Sequence, residues 1–288
     1  MSCTIKFFSS CIFLCGIFLS SKATGFKGDS LYAQGKFFEA SIEYERMIFN
    51  SEDQSNIKNF RYKKALCYKQ LNNYGKAIEE LQPIYFPNKN DSLLLRVYYL
   101  QSLCYYLNEE PTQALWKIDE CLSLNHDTAS QLTLLPLKVL CMNETLRWEE
   151  AQECLIHYFL IQNLSPEKST EMQQVVHELY SRKKLPHIRS IKKAENWSRF
   201  IPGTGQIYAG KTGEGLLNFF INVSILAFSA QQAYTGFYIT GYLAGLGFFN
   251  KIYHGGIKRS GNLATWKNKE LTVTFNNKIN KIIRSNLN

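Results

Sequence analysis

One stretch of the sequence has the residue types and spacing of a phosphate-binding loop. Residues Gly205–Thr212 read G-x-x-x-x-G-K-T, a pattern in which backbone N–H groups and a lysine hold phosphate. Such a loop follows a buried strand, whereas the residues before this one end in Pro202 and make a poor strand. No aspartate follows residue 127 to support magnesium. Nucleotide binding through Gly205–Thr212 therefore stays an alternative interpretation, that of a P-loop envelope protein.

Other side chains that commonly carry chemistry are scattered. None of the five histidines lies at metal-ligand spacing from another, and no H-E-x-x-H or G-x-S-x-G pattern occurs. The acidic residues of the first half fit the solvated faces of helices. The sequence therefore predicts no catalytic residue, no metal site and no cofactor, and it favours a protein that is not an enzyme.

A repeat of 37 residues organises the first half of the chain. Four alanines are spaced by this period, and the positions three before, four after and nine before each alanine are almost all apolar. This pattern predicts pairs of amphipathic helices that stack, because no pair can bury its apolar face alone. The alanines are Ala40, Ala77, Ala114 and Ala151, and their partners are Phe37, Tyr74, Pro111, Trp148, Tyr44, Leu81, Ile118, Leu155, Leu31, Tyr68, Tyr105 and Met142.

This pattern resembles the tetratricopeptide-repeat (TPR) family over roughly residues 25–163, although that family has a period of 34. The resemblance implies a solenoid of helical hairpins whose first helices line a groove that binds another protein or a peptide. Tyrosine beside Lys or Arg suits such a surface. Carried over copy by copy, the groove residues are Tyr62, Leu66, Lys69, Arg96, Tyr99, Leu103, Tyr106, Pro136, Leu140 and Asn143.

Three cysteines follow the same period. Cys67, Cys104 and Cys141 fall on the first helix of successive copies, where a small buried residue is expected. A stack of repeats separates equivalent positions by about one repeat, so these thiols are predicted to be structural.

The second half of the chain is basic and contains a long uncharged block. Residues 24–181 carry 15 Lys/Arg and 21 Asp/Glu, whereas residues 182–288 carry 16 Lys/Arg and 3 Asp/Glu. The block 215–250 would be about 54 Å long as one helix, far more than the ~30 Å core of a bilayer. A break at the polar residues 231–236 predicts a membrane hairpin of helices Leu216–Ala230 and Phe237–Phe249, in which Gly241 and Gly245 allow close packing.

A glycine-rich motif, P-G-x-G-Q-x-Y-x-G, precedes this hairpin. The motif and hairpin resemble small bacterial modules of two transmembrane helices over about residues 196–262. In that family the motif marks the approach to the membrane and has no assigned catalytic residue. Its residues here are Pro202, Gly203, Gly205, Gln206, Tyr208 and Gly210.

The predicted organisation is all-α: a TPR-like helical-hairpin solenoid followed by a short transmembrane helical hairpin. The segments are 1–23, a signal peptide or N-terminal anchor; 24–163, four repeats; 164–195, a capping helix and basic linker; 196–262, the motif and hairpin; and 263–288, a basic tail.

This organisation predicts a membrane-anchored scaffold or adaptor of the bacterial cell envelope, with periplasmic repeats. Its partners would be a protein or peptide, and membrane lipid through residues 215–250 and their basic flanks. Neither nucleic acid nor a small-molecule substrate is expected. Because basic flanks favour the cytoplasmic face, a cytoplasmic-facing protein with an uncleaved N-terminal helix is the second alternative.

Overall fold

A computed structural model describes residues 27–88, 91–125, 127–162 and 164–285. The predicted signal peptide or anchor, residues 1–23, lies outside the described residues. Every regular element within the described ranges is helical, which confirms the all-α class.

The helices alternate with short turns along most of the chain. Between α13 and α14 the chain forms a π-helical turn, Gly241–Leu246, without leaving the helical path. The α-helices are α1 (Lys27–Ala33), α2 (Phe37–Asn50), α3 (Gln54–Gln70), α4 (Tyr74–Leu81), α5 (Leu94–Leu107), α6 (Pro111–Leu124), α7 (Thr128–Glu144), α8 (Trp148–Leu160), α9 (Pro166–Leu179), α10 (Ile191–Phe200), α11 (Thr204–Tyr208), α12 (Thr212–Tyr234), α13 (Tyr238–Thr240) and α14 (Gly247–Ser285).

The first compact unit ends at Asn108 and contains α1 to α5. Each of these helices packs on the next, and α3 also touches α5. Its core is formed by small and aliphatic side chains on facing helices, which bury apolar surface from both members of a pair. The fully or almost fully buried members include Ala40, Tyr44, Ala65, Cys67, Ala77, Leu81, Leu94 and Cys104.

The 37-residue period of the sequence reappears in the backbone. The second helices of the four copies begin 37 residues apart, at the positions predicted to be aromatic or proline. The turn before each contains a residue with a positive φ, and these residues also follow the period. The four register alanines are completely buried. Those turn residues are Gly35, Asn72, Glu109 and Leu146.

The second unit begins at Glu109, and its first part continues the same style of packing. Helix α7 lies between α6 and α8, and α9 packs on α8. Helix α9 starts where the sequence predicts a capping helix: the Ser165 hydroxyl accepts a hydrogen bond from the Lys168 N–H, and Pro166 occupies the first turn. Val176 of α9 is completely buried.

The rest of the second unit contains α10 to α14. Helix α12 ends at Tyr234 and the chain reverses at Gly236, which has φ 85°, so the predicted break is confirmed. The predicted short second helix, Phe237–Phe249, is corrected by the structure: the arm that starts at Tyr238 continues through the π-helical turn into α14 and ends at Ser285.

The predicted basic tail, 263–288, is therefore helical as far as Ser285. Its apolar side chains explain why. Phe275, Ile279 and Ile283 are four residues apart, lie on one face of α14 and are buried. The basic residues between them occupy the opposite, exposed face. The charge of this segment alone therefore did not reveal that it forms an amphipathic helix.

Candidate functional site

The glycine-rich motif is the point where several helices of the second unit meet. Helix α11 contacts α10, α12 and α14, and α10 packs along α14. We call α10, α11, the first two turns of α12 and residues 255–264 of α14 the hairpin base. Ala194, Ala209, Leu263 and Ala264 form its small apolar core, which brings the helix backbones close together.

Gln206 is the central polar side chain of the hairpin base and is almost completely buried. Its Oε1 accepts a hydrogen bond from the Ser198 hydroxyl at 3.2 Å, and its Nε2 donates to the Gly256 carbonyl at 3.2 Å. The Gly205 N–H donates in turn to the Ser198 oxygen at 3.1 Å. Gln206 therefore ties α10, α11 and α14 together, as buried polar groups require partners.

Gly203 sets the path of the chain between α10 and α12. Its φ of 95° lies in the left-handed region. A Cβ at this position would overlap the carbonyl oxygen of Gly215 on α12, and a Cβ on Gly215 would lie 2.5 Å from the Gly203 carbonyl oxygen. Both residues must be glycine for the two backbone segments to approach this closely.

Two further contacts fix the hairpin base from outside. The Tyr208 hydroxyl accepts a hydrogen bond from the Ser190 N–H at 3.1 Å, at the start of α10. Asn268 of α14 accepts from the Arg189 N–H at 2.7 Å and donates to the Arg189 carbonyl at 2.8 Å. The Asn268 carboxamide thus binds both backbone groups of Arg189, as a neighbouring backbone would, and holds the chain before α10 in place.

The segment Gly205–Thr212 does not have the backbone of a phosphate-binding loop. Helix α10 precedes it where a strand is needed, and residues as far as Tyr208 are themselves helical. Gln206 is committed to Ser198 and Gly256. The nucleotide-binding alternative therefore has no support in the geometry of this segment.

The inner face of the hairpin, which we call the hairpin seam, is polar. Asn218 and Ser229 of α12 face glycines of the second arm, and Asn222 of the same helix is 1% exposed. A Cβ on Gly256 would lie 2.5 Å from the Asn218 Nδ2, and one on Gly245 would overlap the Ser229 hydroxyl. Gly241 also faces α12, so the predicted close packing by Gly241 and Gly245 is confirmed.

The outer face of the hairpin is apolar and exposed. Within the described residues, α12 is the one helix long and apolar enough to cross a membrane, and only 11% of its most apolar stretch is buried. Polar side chains thus face inward and large apolar side chains face outward. The exposed side chains include Leu216, Leu217, Phe220, Val223, Leu226, Phe228, Phe237, Tyr238, Ile239, Tyr242, Leu243, Leu246 and Phe248.

Among the residues assigned to the TPR groove, those on α3 pack mainly within their own unit. Tyr62 and Leu66 are half-buried against the apolar core of the first unit. Lys69 is buried, and this burial lowers the pKa of its ammonium group.

Helix α5 carries four more of the predicted groove residues. Arg96 is exposed, Tyr99 and Tyr106 are half-buried, and Leu103 is buried. Since α3 touches α5, the structure brings the predicted residues of these two helices into one neighbourhood of the first unit.

The predicted groove residues on α7 contact the chain's own last helix. Asn143 is completely buried; its Nδ2 donates to the Asn276 Oδ1 at 2.8 Å, and its Oδ1 accepts from the Tyr180 hydroxyl at 3.0 Å. The Asn276 Nδ2 donates to the Leu140 carbonyl, and Leu140 is buried. Pro136, on the same helix, is half-buried. A partner reaches Leu140 and Asn143 only if α14 moves.

Aromatic rings reinforce this contact between α14 and α7 to α9. Phe275 meets the ring of Trp148 at 5.4 Å and that of Tyr180 at 5.2 Å, both edge to face. An ion pair between Lys269 and Glu109 adds a further link. Sequence analysis missed Asn276 and Phe275, because nothing local in the sequence marks residues whose partners lie more than 90 positions earlier.

The described cysteines are free and mostly buried, as the repeat register predicts. Burial raises the pKa of Cys67 and of Cys104 to about 12 and that of Cys121 and of Cys154 to about 11. Burial also raises the pKa of Cys141. These thiols are therefore weak nucleophiles at neutral pH, because the thiolate is the reactive form.

No group of three or more His, Cys, Asp or Glu side chains that could hold a metal ion occurs within residues 27–285 as far as the structure describes them. Comparisons of the chain with protein-family models, with curated proteins and with solved structures gave no match. The function is therefore inferred from the residues of the hairpin base, the hairpin seam and the repeats.

Proposed function

We propose that this protein is a membrane-anchored adaptor of the bacterial cell envelope, in which TPR-like repeats bind a partner protein or peptide. The observation that carries the proposal is the inside-out hairpin, with Asn222 in its seam and side chains such as Phe220 outside. A helical hairpin in water has the reverse arrangement, since burial of apolar surface stabilises folding there. Hydrocarbon is the solvent in which the outer face is stable.

The basic residues around the hairpin base support the same placement. Lys211, Lys251 and Lys258 are exposed and flank the uncharged block, where they would meet anionic lipid headgroups. Trp197 and Phe200 of α10 are also exposed beside them. Tryptophan and basic side chains together are typical of the boundary between hydrocarbon and water.

The proposed partner surface is on α3 and α5. Arg96 is exposed and Tyr99 half-buried there, whereas the α7 residues of the predicted groove contact α14. Aromatic and arginine side chains contribute most to binding energy at protein interfaces. We therefore expect the partner to contact Arg96 and Tyr99 rather than Asn143.

Membrane association is tested by extraction of isolated membranes at alkaline pH. The full chain is expected to stay with the membranes and to require detergent for release. A double variant, Leu217→Asp with Phe220→Asp, places two charges on the outer face and should shift the chain to the soluble fraction, because a charge in hydrocarbon costs about 2.5–3.5 kcal/mol. Recovery of the unaltered chain as a soluble monomer would contradict the proposal.

The partner surface is tested by a photo-crosslinking residue at Tyr99. Its matched control is Phe49, which is 89% exposed on α2, the second helix of its pair. Crosslinks to one protein at position 99 and none at position 49 support the adaptor function; equal crosslinking at both positions contradicts it. Sequencing the mature N-terminus distinguishes an exported chain, which starts at Thr24, from the cytoplasmic-facing alternative.

A further inference from the structure

A groove runs along one side of the hairpin, between α12 and α14. At the hairpin base it encloses about 240 Å³ and is bordered by Glu214, Asn218 and Arg259. Farther along the hairpin it encloses about 430 Å³ and is bordered by apolar side chains such as Phe228 and Phe248. The bordering residues of each helix recur about every three or four positions, so the two parts lie one after the other on the same side of the hairpin.

Two side chains with hydrogen-bond donors border the polar end of this groove. The Asn222 Nδ2 donates to the Asn218 backbone carbonyl at 2.7 Å and to the Asn218 Oδ1 at 2.9 Å. A backbone carbonyl only accepts, so this contact fixes the orientation of both carboxamides. Among the described residues neither the Asn218 Nδ2 nor the Asn222 Oδ1 has a hydrogen-bond partner, and both atoms are buried. That nitrogen lies over Gly256, which also borders the groove.

Arg259 supplies the second donor. Its Nε and Nη2 bind the Glu214 carboxylate at 2.7 and 3.2 Å, and its guanidinium lies 5.1 Å from the centre of the Trp266 ring. These contacts hold the planar group in place while its Nη1 donors are not used by Glu214. A guanidinium held in this way matches the oxygens of a phosphate.

The other end of the groove suits a hydrocarbon chain. Ile225, Phe228, Phe248 and Ile252 border it, and its surface is almost entirely apolar. A ligand that fills the whole groove thus has phosphate oxygens at one end and an apolar chain at the other. Free phosphate uses only the polar end, and a neutral lipid uses only the apolar end.

We propose that this groove binds one glycerophospholipid, with its phosphate at Arg259 and an acyl chain along Phe228 and Phe248. The proposal rests on the hairpin lying in a membrane, as in the proposed function. The lipid would cover the apolar part of the groove, which the side chains of the described residues leave open.

The test is native mass spectrometry of the full chain in detergent, titrated with dioleoylphosphatidylethanolamine, dioleoylphosphatidylglycerol or dioleoylglycerol. Both phospholipids should bind with one saturable site, and dioleoylglycerol, which lacks the phosphate, should bind at least tenfold more weakly. Inorganic phosphate should not displace the phospholipids. Equal binding of dioleoylglycerol, or displacement by phosphate, would overturn the proposal.

A matched set of variants locates the site. The double variant Glu214→Gln with Arg259→Gln removes the guanidinium and keeps the net charge; because the ion pair is partly exposed, the fold should persist. We expect about tenfold weaker phospholipid binding. Lys251→Gln removes one charge from an exposed position outside the groove and should leave binding unchanged. Unchanged binding in the double variant contradicts the proposed site.

The same variants are also followed by alkaline extraction of membranes. If the chain stays with the membranes but binds no phospholipid selectively, the lipid site is wrong and the membrane anchor stands. If the unaltered chain leaves the membranes, the proposed function itself fails.

Discussion

The turns of the repeats and the turn of the hairpin base use the same backbone conformation under different constraints. Each has a residue with a positive φ: Gly35, Asn72, Glu109 and Leu146 in the repeats and Gly203 in the hairpin base. Four residue types share the repeat turn, although only glycine and asparagine adopt this conformation readily. The repeat turn therefore requires the left-handed backbone conformation, but it leaves room for a side chain.

The space around the turn explains this tolerance. Among the described residues, no neighbouring atom lies within 4 Å of a Cβ built on Gly35, whereas one built on Gly203 would overlap the backbone of Gly215. A left-handed residue other than glycine costs about 1–2 kcal/mol, which the packing of two helices can offset. The cost of an overlap between a Cβ and a backbone carbonyl is not offset in this way. Positive φ alone thus does not identify an irreplaceable residue; the neighbouring atoms do.

The largest effect is expected for Gly203→Ala. We predict a loss of stability of about 3 kcal/mol or more, since overpacking and left-handed strain add. Thermal unfolding in detergent, followed by circular dichroism, measures the loss. Gly35→Ala, which has the same sign of φ and open space, is the control and should cost only about 1 kcal/mol. Equal losses of stability in the two variants would show that the two turns do not differ in their need for glycine.

Cysteine reactivity reports on the repeats, because no cysteine follows Cys154 in the sequence. Burial raises the pKa of the Cys154 thiol to about 11, so at pH 8 its thiolate fraction is roughly 100-fold below that of an ordinary thiol. We predict alkylation by iodoacetamide about 100-fold slower than in urea. The rate should rise about tenfold per pH unit between pH 8 and 10, since the thiolate population grows until the pH reaches the pKa.

Peptide mass spectrometry measures this alkylation for each cysteine separately. A plateau near pH 9, the range of an ordinary thiol, would refute the raised pKa. In the Gly203→Ala variant, Cys67 and Cys104 of the first unit should stay as protected as in the unaltered chain. Their exposure would show that the hairpin base also controls the folding of the first repeats.

A smaller effect is expected at the contact between α7 and α14. Asn143→Leu leaves the Asn276 Oδ1 and the Tyr180 hydroxyl without their partner, which costs about 1–3 kcal/mol. Urea denaturation in detergent measures the cost. Asn143→Leu combined with Asn276→Leu should recover part of it, because both carboxamides of the pair are then absent. Strict additivity of the two substitutions would mean that the hydrogen bond contributes nothing.

The smallest effect, a gain, is expected for Leu146→Gly. Leu146 has φ 62° and is 45% exposed, so the substitution removes strain while losing little buried surface. We predict an increase in stability of up to about 1 kcal/mol. Thermal unfolding beside the unaltered chain measures it. A decrease would mean that this leucine stabilises the turn by contacts that exceed the strain.

Local patterns in the sequence predicted much of the fold. The 37-residue register correctly gave the starts of the second helices, the buried alanines and the buried cysteines. The polar break in the uncharged block gave the reversal at Gly236, and Ser165 with Pro166 gave the start of α9. Each of these features depends on neighbours within a turn or two of helix, which is why sequence spacing reveals them.

The features that sequence reasoning missed depend on distant partners. Asn218 looks like an interruption in an apolar block until Gly256 of α14 is placed beside it. Asn276 looks like part of a basic tail until it meets Asn143, 133 positions earlier. One sequence does not reveal such pairs, because asparagine is equally common on solvated surfaces. The TPR-like groove and its partner stay a prediction.

Because α14 is continuous, it fixes both the distance and the rotation between its two ends. From Asn250, the last residue of the uncharged block, to Asn276 the helix advances about 39 Å at 1.5 Å per residue. Inserting one residue between them would turn the far end by about 100° and move Asn276 away from Asn143. Changes in the length of this connecting stretch are therefore compatible with the contact only near whole numbers of helical turns, so α7 is held at a fixed distance from the uncharged block and in a fixed orientation to it.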